Sequence, residues 1–393
     1  MFDVKERAKA INSKIVEWRR HIHANPELKM ELPKTEAYVI QKLKEMGVEK
    51  IQSGVAGHGV VALIEGKKPG KTLGIRADMD ALNMEEDTGL PFAAKNGWMH
   101  SCGHDAHVAI LLGAAELLMQ CRDELKGSVK LIFQPAEEVW PSGAAAMIEE
   151  GVMENPKIDG IIGLHTGSIW KGVAAGEIGY RFGSMMGAVN WFTATFNGKG
   201  GHGATPHLTV DPISIACQVQ TLLQTIISRE VSPTDSAILS TCMIQGGTAN
   251  NIIAPSCTIK GTIRSLTPEV RKHMKDRFTQ ICEEVAHAMR GSAAVEITDA
   301  PPALINDRGM TEKLRIAATD ILGADHVHEI LEPSMGGEDM AFFLEKVPGT
   351  FFFLPATFGD ERDFPHHHPK FNLNEDVFWI GSAAFVQFAL TWQ

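Results

Sequence analysis

Apolar residues in this chain fall into two patterns, and the switch between them divides it into three stretches. Short continuous apolar runs mark buried strands at 59–65, 71–77, 129–134 (VKLIFQ) and 160–164 (GIIGL). Helical periods separate them: the charged amphipathic opening MFDVKERAKAINSKIVEWRRHIH, a long apolar-striped segment from His104 to Leu125, and Gly143 to Glu150. Strands alternating with helices predict a sheet with parallel strands, covered on both faces. The pattern then changes. VNWFTATFN (189–197) alternates like a half-exposed strand, and Asp211 to Glu230 reads as a helix with Pro212 near its first turn. Strands at 237–244 and 257–264, an amphipathic helix from Pro268 to Arg290 and a strand at 294–298 complete a β-α-β-β-α-β order. That is the split, ferredoxin-like arrangement. Helix and strand signals resume from Thr311 to Trp392.

The fold expected is therefore α/β: a three-layer αβα domain with a mixed, largely parallel sheet, formed by 1–186 and 301–393. A smaller βαββαβ domain, 187–300, is inserted into it. With 393 residues, 44% of them apolar, the chain has ample material for such cores. Thirty-seven basic against 48 acidic residues leave a net charge of −11, which argues against nucleic-acid or anionic-membrane partners. The longest apolar stretches, such as Val108 to Met119, fall short of the roughly 20 residues of a bilayer span. The opening carries no apolar signal-peptide core. Six cysteines without a CxxC pair suit a reducing compartment, so a cytoplasmic location is expected.

Chemistry-bearing residues cluster at predicted strand ends. The strand at 71–77 leads into Asp78 and Asp80, that at 129–134 into Glu137 and Glu138, and that at 160–164 into His165. SCGHDAH (101–107) stands at a helix start. In an open α/β sheet these ends face one crevice. Converging Cys, His and Glu suit a borderline-soft divalent cation, and adjacent carboxylates offer one ligand and one free base. A single histidine at a strand end is usually a hydrogen-bonded core residue; four such segments together point to a metal site. His366-His367-His368 precedes Pro369, and spacing alone does not say which of the three binds. The Gly-rich GKGGHGATPH (198–207) lacks the GK[ST] ending of a phosphate loop.

Together these segments resemble the metal-dependent aminoacylase/carboxypeptidase metallopeptidase superfamily, in its amidohydrolase branch with hippurate hydrolase and the auxin-conjugate hydrolases. RRHIHANPEL, IRADMDAL, MHSCGHDAH, LIFQPAEE, GLH, GKGGHGATPH, DPI, GTANNII, GTIRS, GGEDMAFFLEKVPGTFFFL and HHHPKFNLNED run in family order from residue 19 to 376. SCGHDAH with QPAEE downstream is specific, whereas GTIRS alone is weak. The resemblance implies that Cys102, His104, Glu138, His165 and His367 hold two divalent ions per subunit (Zn, Mn, Co or Ni), that Glu137 is the general base, and that Asp80 is the carboxylate orienting a liganding histidine. It implies that 187–300 is a lid and dimerisation domain. His202 of this domain would reach a partner subunit's site in a homodimer, while Asn251 and Arg264 hold the substrate carbonyl or carboxylate. The expected reaction is hydrolysis of N-acyl amino acids of the hippurate or N-acetyl type to a carboxylic acid and a free amino acid.

Departures from the pattern bear on substrate choice. Asn83 replaces a proline, NIIAP replaces NVIP, Asn190 stands where aspartate is common, and Gly336-Gly337 and Met185-Met186 fall where an acyl or side-chain pocket is expected. The alternatives are a dipeptidase or carboxypeptidase on the same fold and a non-catalytic binding paralogue. Retention of Glu137, which a mere binder could discard, argues against the latter. A cysteine hydrolase built on Cys102 lacks a separate base.

Overall fold

An eight-stranded mixed sheet forms the spine of the larger of two structural units in the computed structural model, which describes residues 2–393. The strands of the two principal sheets are, in chain order, β1 (Lys50–Val55), β2 (Gly59–Glu65), β3 (Lys68–Asp78), β4 (Lys126–Gln134), β5 (Gly160–Gly167), β6 (Ile178–Tyr180), β7 (Ala188–Asn197), β8 (Ala237–Gly246), β9 (Ser256–Ser265), β10 (Ser292–Asp299), β11 (Val327–Glu329) and β12 (Gly349–Pro355). The larger unit takes the chain through Met185, Ile305–Ser334 and Asp339–Gln393; the smaller takes Met186–Leu304 and Met335–Glu338.

In the large sheet the order is β1-β2-β4-β3-β5-β12-β6-β11. Its centre, β4-β3-β5-β12, is parallel. Antiparallel pairs flank it: β1 with β2, β2 with β4, and β12 with β6. The inner stretches of the parallel strands are buried and mostly apolar, as strands covered on both faces tend to be. GTFFFLP of β12 is buried throughout, and each phenylalanine contributes roughly 1.5–3 kcal/mol by leaving water. The helices His104–Gln120 and Phe378–Thr391 are buried nearly all round, which marks them as interior. Among the described residues no helix is long and apolar enough to cross a membrane.

The parallel centre decides where chemistry can gather. Asp78 of β3 lies level with Gln134 of β4, and Arg76 of β3 is level with Gly163 of β5, two residues before His165. The carboxyl ends of β3, β4 and β5 thus share one edge, the usual ligand edge of such sheets.

The smaller unit pairs β8-β9-β7-β10 throughout antiparallel, with helices Pro212–Thr225 and Pro268–Ala288. Phe192, Phe196, Ile259 and Phe278 fill its own core. Three expected boundaries move. The opening helix breaks at Ile11 into Val4–Ala10 and Asn12–His23, because the Asn12 side chain turns away to the Glu375 carbonyl and the Trp379 amide. The helix from His104 stops at Gln120, where Cys121 and the turn after it lead into β4. β5 runs to Gly167, so His165 stands inside the strand rather than after it.

Candidate metal centre

Two strained turns present the acidic and thiol groups. After β4, Ala136 adopts φ +54°, a left-handed conformation unusual for a residue with a Cβ. The Asp80 carboxylate holds this turn, accepting from Glu137 N at 2.9 Å and Glu138 N at 3.1 Å. Before the helix at His104, Gly103 takes φ +92°, where a Cβ would come within 3.2 Å of Thr166 Cγ2. Glycine is the residue that tolerates this, and it sets Cys102 and His104 on either side of the bend.

The side chains converge. Ligand atoms of Cys102, His104 and His165 lie within 4.8 Å of one another, as do those of Cys102, Glu138 and His367, and of His104, Glu137 and Glu138. Cys102 Sγ is 3.6 Å from His165 Nε2, and Glu138 Oε1 is 3.2 Å from His367 Nε2 and 4.0 Å from His104 Nε2. His104 Nε2 is buried without a hydrogen-bond partner. Buried polar atoms are almost always satisfied. Buried His104 Nε2, facing a Glu138 carboxylate that the His367 ring meets, among a thiol and imidazoles, is the arrangement a divalent cation completes, and the donor set fits one.

Each ring is oriented from behind. His104 Nδ1 donates to the Asp80 carbonyl at 2.8 Å, and His165 Nδ1 to the Thr166 carbonyl at 2.8 Å, leaving both Nε2 atoms to point inward. The Asp80 carboxylate stands 3.6 Å from His104 Nδ1, beyond hydrogen-bond reach. The contact expected of that side chain is thus made by its main chain, because the carboxylate is engaged by the Glu137–Glu138 turn. Burial keeps His165 neutral, well below its usual pKa, as a ligand requires. Burial also opposes charge on His104, but Asp78 and Cys102 outweigh it and its pKa stands above normal. Burial, aided by Glu138, pushes the Cys102 thiol up, so cation binding must release a proton there.

Within the histidine triplet the structure separates three roles. His367, at φ +61°, is the one grouped with Cys102 and Glu138. His366 Nε2 accepts from Ser168 N at 3.1 Å, and His368 Nδ1 accepts from Lys370 N at 3.1 Å while its ring stacks on Phe364.

Under the cluster lies a buried polar layer of which the sequence reading singled out only Asp78, as a strand-end carboxylate, and His107, within SCGHDAH, and gave neither a role. His107 Nδ1 donates to Asp78 at 2.5 Å and its Nε2 accepts from Thr166 N at 2.9 Å, so it steadies the main chain beside His165 with both nitrogens spent. Fully buried Arg76 ties Asp78 (2.8 Å), Gln134 (2.8 Å) and Asp339 (2.6 Å) together. Burial pushes the Asp339 carboxyl up to about 6 despite Arg76. The available signal was an arginine inside the apolar run LGIRAD, which a buried strand accepts only if it is paired.

In the smaller unit, His202 and Asn251 are exposed neighbours: Gly201–His202 pairs with Ile252–Ile253, and Gly203 N donates to the Asn251 carbonyl at 2.8 Å. The side chain of half-buried Arg264 on β9 has no ion pair or hydrogen bond among the described residues, and burial lowers its pKa. Gly337 lies against it, for a Cβ there would be 3.6 Å from an Arg264 guanidinium nitrogen. Asn190 is buried on Asp299 and Arg271, and Met185 is fully buried, so neither is free to line a pocket.

The geometry defines a metal-dependent hydrolase, and comparison with known proteins agrees. Residues 74–391 match the model of peptidase family M20/M25/M40. The chain belongs to this family and is a metal-dependent amide hydrolase. It is 41% identical over 380 residues to N-acetyl-L-cysteine deacetylase of Bacillus subtilis (strain 168), covering 95% of this chain and 88% of that one. It is 39% identical over 287 residues to N-acyl-L-amino acid amidohydrolase of Geobacillus stearothermophilus, covering 73% and 76%. The Bacillus subtilis YXEP protein, a dinuclear metal binding peptidase, superposes with a TM-score of 0.84 at 32% identity, covering 97% of this chain and 98% of that one.

Proposed function

We propose that this protein hydrolyses the amide bond of N-acyl amino acids, using two divalent cations held by Cys102, His104, Glu138, His165 and His367. The observation that carries this reading is buried His104 Nε2, without a hydrogen-bond partner, facing the Glu138–His367 pair inside that donor set and beside Glu137. Cations bound there supply Lewis acidity to the scissile carbonyl and make an attacking water more acidic. Glu137 takes the proton from that water and returns it to the leaving amine. Asp80 fixes the turn that separates the base from its ligand neighbour Glu138.

The smaller unit, with its β-α-β-β-α-β order, serves as a ferredoxin-like lid and dimerisation domain spanning about 187–300. His202 stabilises the oxyanion in the partner subunit's site, Asn251 binds the carbonyl, and Arg264 grips the free carboxylate. The unpaired, half-buried state of Arg264 supports the last role, since a desolvated guanidinium is matched by a planar anion. The N-acyl relatives favour an acyl amino acid over a dipeptide.

The test is a hydrolysis screen of N-acetyl and N-benzoyl amino acids and dipeptides, before and after chelation, with metal content measured on the same preparation. Acyl amino acids should be cleaved, chelation should abolish cleavage, and Mn, Co, Ni or Zn should restore it. Full activity in verified metal-free protein overturns the reading.

A further inference from the structure

Arg19, Arg20 and His23 of RRHIHANPEL have no part in the chemistry above, yet Arg19 and His23 are fully buried. His23 bridges two carboxylates, with Nδ1 2.7 Å from Asp105 and Nε2 3.1 Å from Glu86, and neither His23 nor Glu86 exposes its side chain. Arg19 Nε donates to the same Asp105 oxygen at 2.7 Å, and its guanidinium reaches Glu375 at 3.1 Å. Arg20 adds a forked contact to Glu375, with bonds of 3.1, 3.0 and 2.5 Å. With His23 protonated, three cations meet three carboxylates, which is the condition for keeping charges out of water.

Each carboxylate holds a different segment. Asp105 follows His104. Glu86 belongs to residues 83–98, which form neither helix nor strand, and it accepts from Ala94 N at 2.7 Å and from the Thr88 hydroxyl. That strap reaches the loop of His367, since Asp87 N donates to the Pro369 carbonyl at 2.8 Å. Glu375 closes the far end of the same loop. His367 is half exposed, sits at φ +61°, and has one main-chain bond of its own, to the Ser101 carbonyl at 2.9 Å. Such strain persists only where the surroundings impose the conformation.

We infer that Arg20 and His23 are positioning residues for the metal ligand His367: the helix Asn12–His23 holds its loop from one side through Glu86 and the strap, and from the other through Glu375. The inference rests on the metal reading above. It predicts that loosening this anchor weakens the ion shared by Cys102, Glu138 and His367 and spares the other, because Arg19 still holds Asp105 beside His104.

Metal-free protein is titrated with Mn²⁺ against a competing chelator, and bound metal is counted. Wild type should take up two ions. In His23→Gln one of them should bind about 10–100-fold more weakly, the usual effect of removing a ligand's outer support, with the second unchanged. Arg20→Ala should shift the same ion; its side chain is 50% exposed, so this variant keeps the test available if His23→Gln does not fold. In a His367→Ala background, His23→Gln should have no further effect on the remaining ion. Equal weakening of both ions, or no weakening in folded variants, overturns the inference. Wild type that binds no ion overturns the metal reading instead.

Discussion

Glu137 and Glu138 are chemically identical neighbours on one strained turn, and the proposed function gives them different tasks. Glu138 groups with Cys102 and His367, while Glu137 groups with His104 and Glu138 but with neither Cys102 nor His367. Glu137→Gln should therefore lower kcat by about two to four orders of magnitude with metal content near normal. Glu138→Gln should lose metal, as read by elemental analysis of both variants; metal loss confined to the first would reverse the assignment. Arg264→Ala should cost about 2–5 kcal/mol in kcat/KM on free-acid substrates and much less on the matching amides or esters. Equal losses on the two substrate types would make Arg264 structural. Donor residues such as Cys102 and His104 are legible in sequence because few other chemistries need them at strand ends. Asp78 was legible as a strand-end carboxylate, but its layer with His107, Arg76 and Asp339 was not, because the links run between positions distant in the chain: Arg76 meets Asp339 across 263 positions. Spacing alone could not choose within His366–His368, where the resemblance pointed to His367; in the structure His366 and His368 instead accept from Ser168 N and Lys370 N.

At the scale of elements, apolar runs were sufficient to locate β2, β3, β4 and β5, since a strand covered on both faces has little room for polar residues. Their ends were less legible. β5 continues past His165 because Thr166 is held by His107 and by its hydroxyl bond to the Leu354 carbonyl, contacts that no local pattern announces. The opening segment read as one charged amphipathic helix, yet the last turn of Asn12–His23 is a largely buried charge cluster. Burial and Arg19 oppose the proton on His23, while Asp105 and Glu86 outweigh them, so its pKa is raised. A folded pKa above the unfolded value, about 6.5, means that this stabilisation is complete below that pH and is lost as pH rises through the folded value. The unfolding free-energy difference between wild type and His23→Gln should thus be largest near pH ~6 and narrow on the alkaline side. Urea denaturation across pH, with chelator present so that metal binding does not contribute, reads this directly. A difference that grows with pH would mean that His23 is neutral in the folded protein.

On the scale of the whole molecule, the smaller unit has two sheet edges, β8 and β10, without a further strand among the described residues, and β8 exposes Ile238, Met243 and Ile244 along its length. An open edge with exposed apolar residues invites pairing with a second copy, and two-fold closure is the commonest solution. If the proposed homodimer delivers His202 to the partner subunit's site, each active site joins Glu137 of one chain with His202 of the other. Glu137→Gln and His202→Ala chains should then each be nearly inactive alone. When equal amounts are mixed and exchanged, about half of the dimers are hybrids, and each hybrid has one site with both defects and one intact site. Activity should return to about a quarter of wild type, by random pairing under two-fold closure. Lack of recovery despite proven subunit exchange would place His202 in its own chain's site or outside catalysis. A monomer in sedimentation experiments would remove the shared site altogether. If His202 only braces its turn, where its Nδ1 accepts from Ala204 N at 3.1 Å, His202→Ala alone should leave kcat within a few-fold of normal, which separates a local brace from an oxyanion donor contributing about 3–4 kcal/mol.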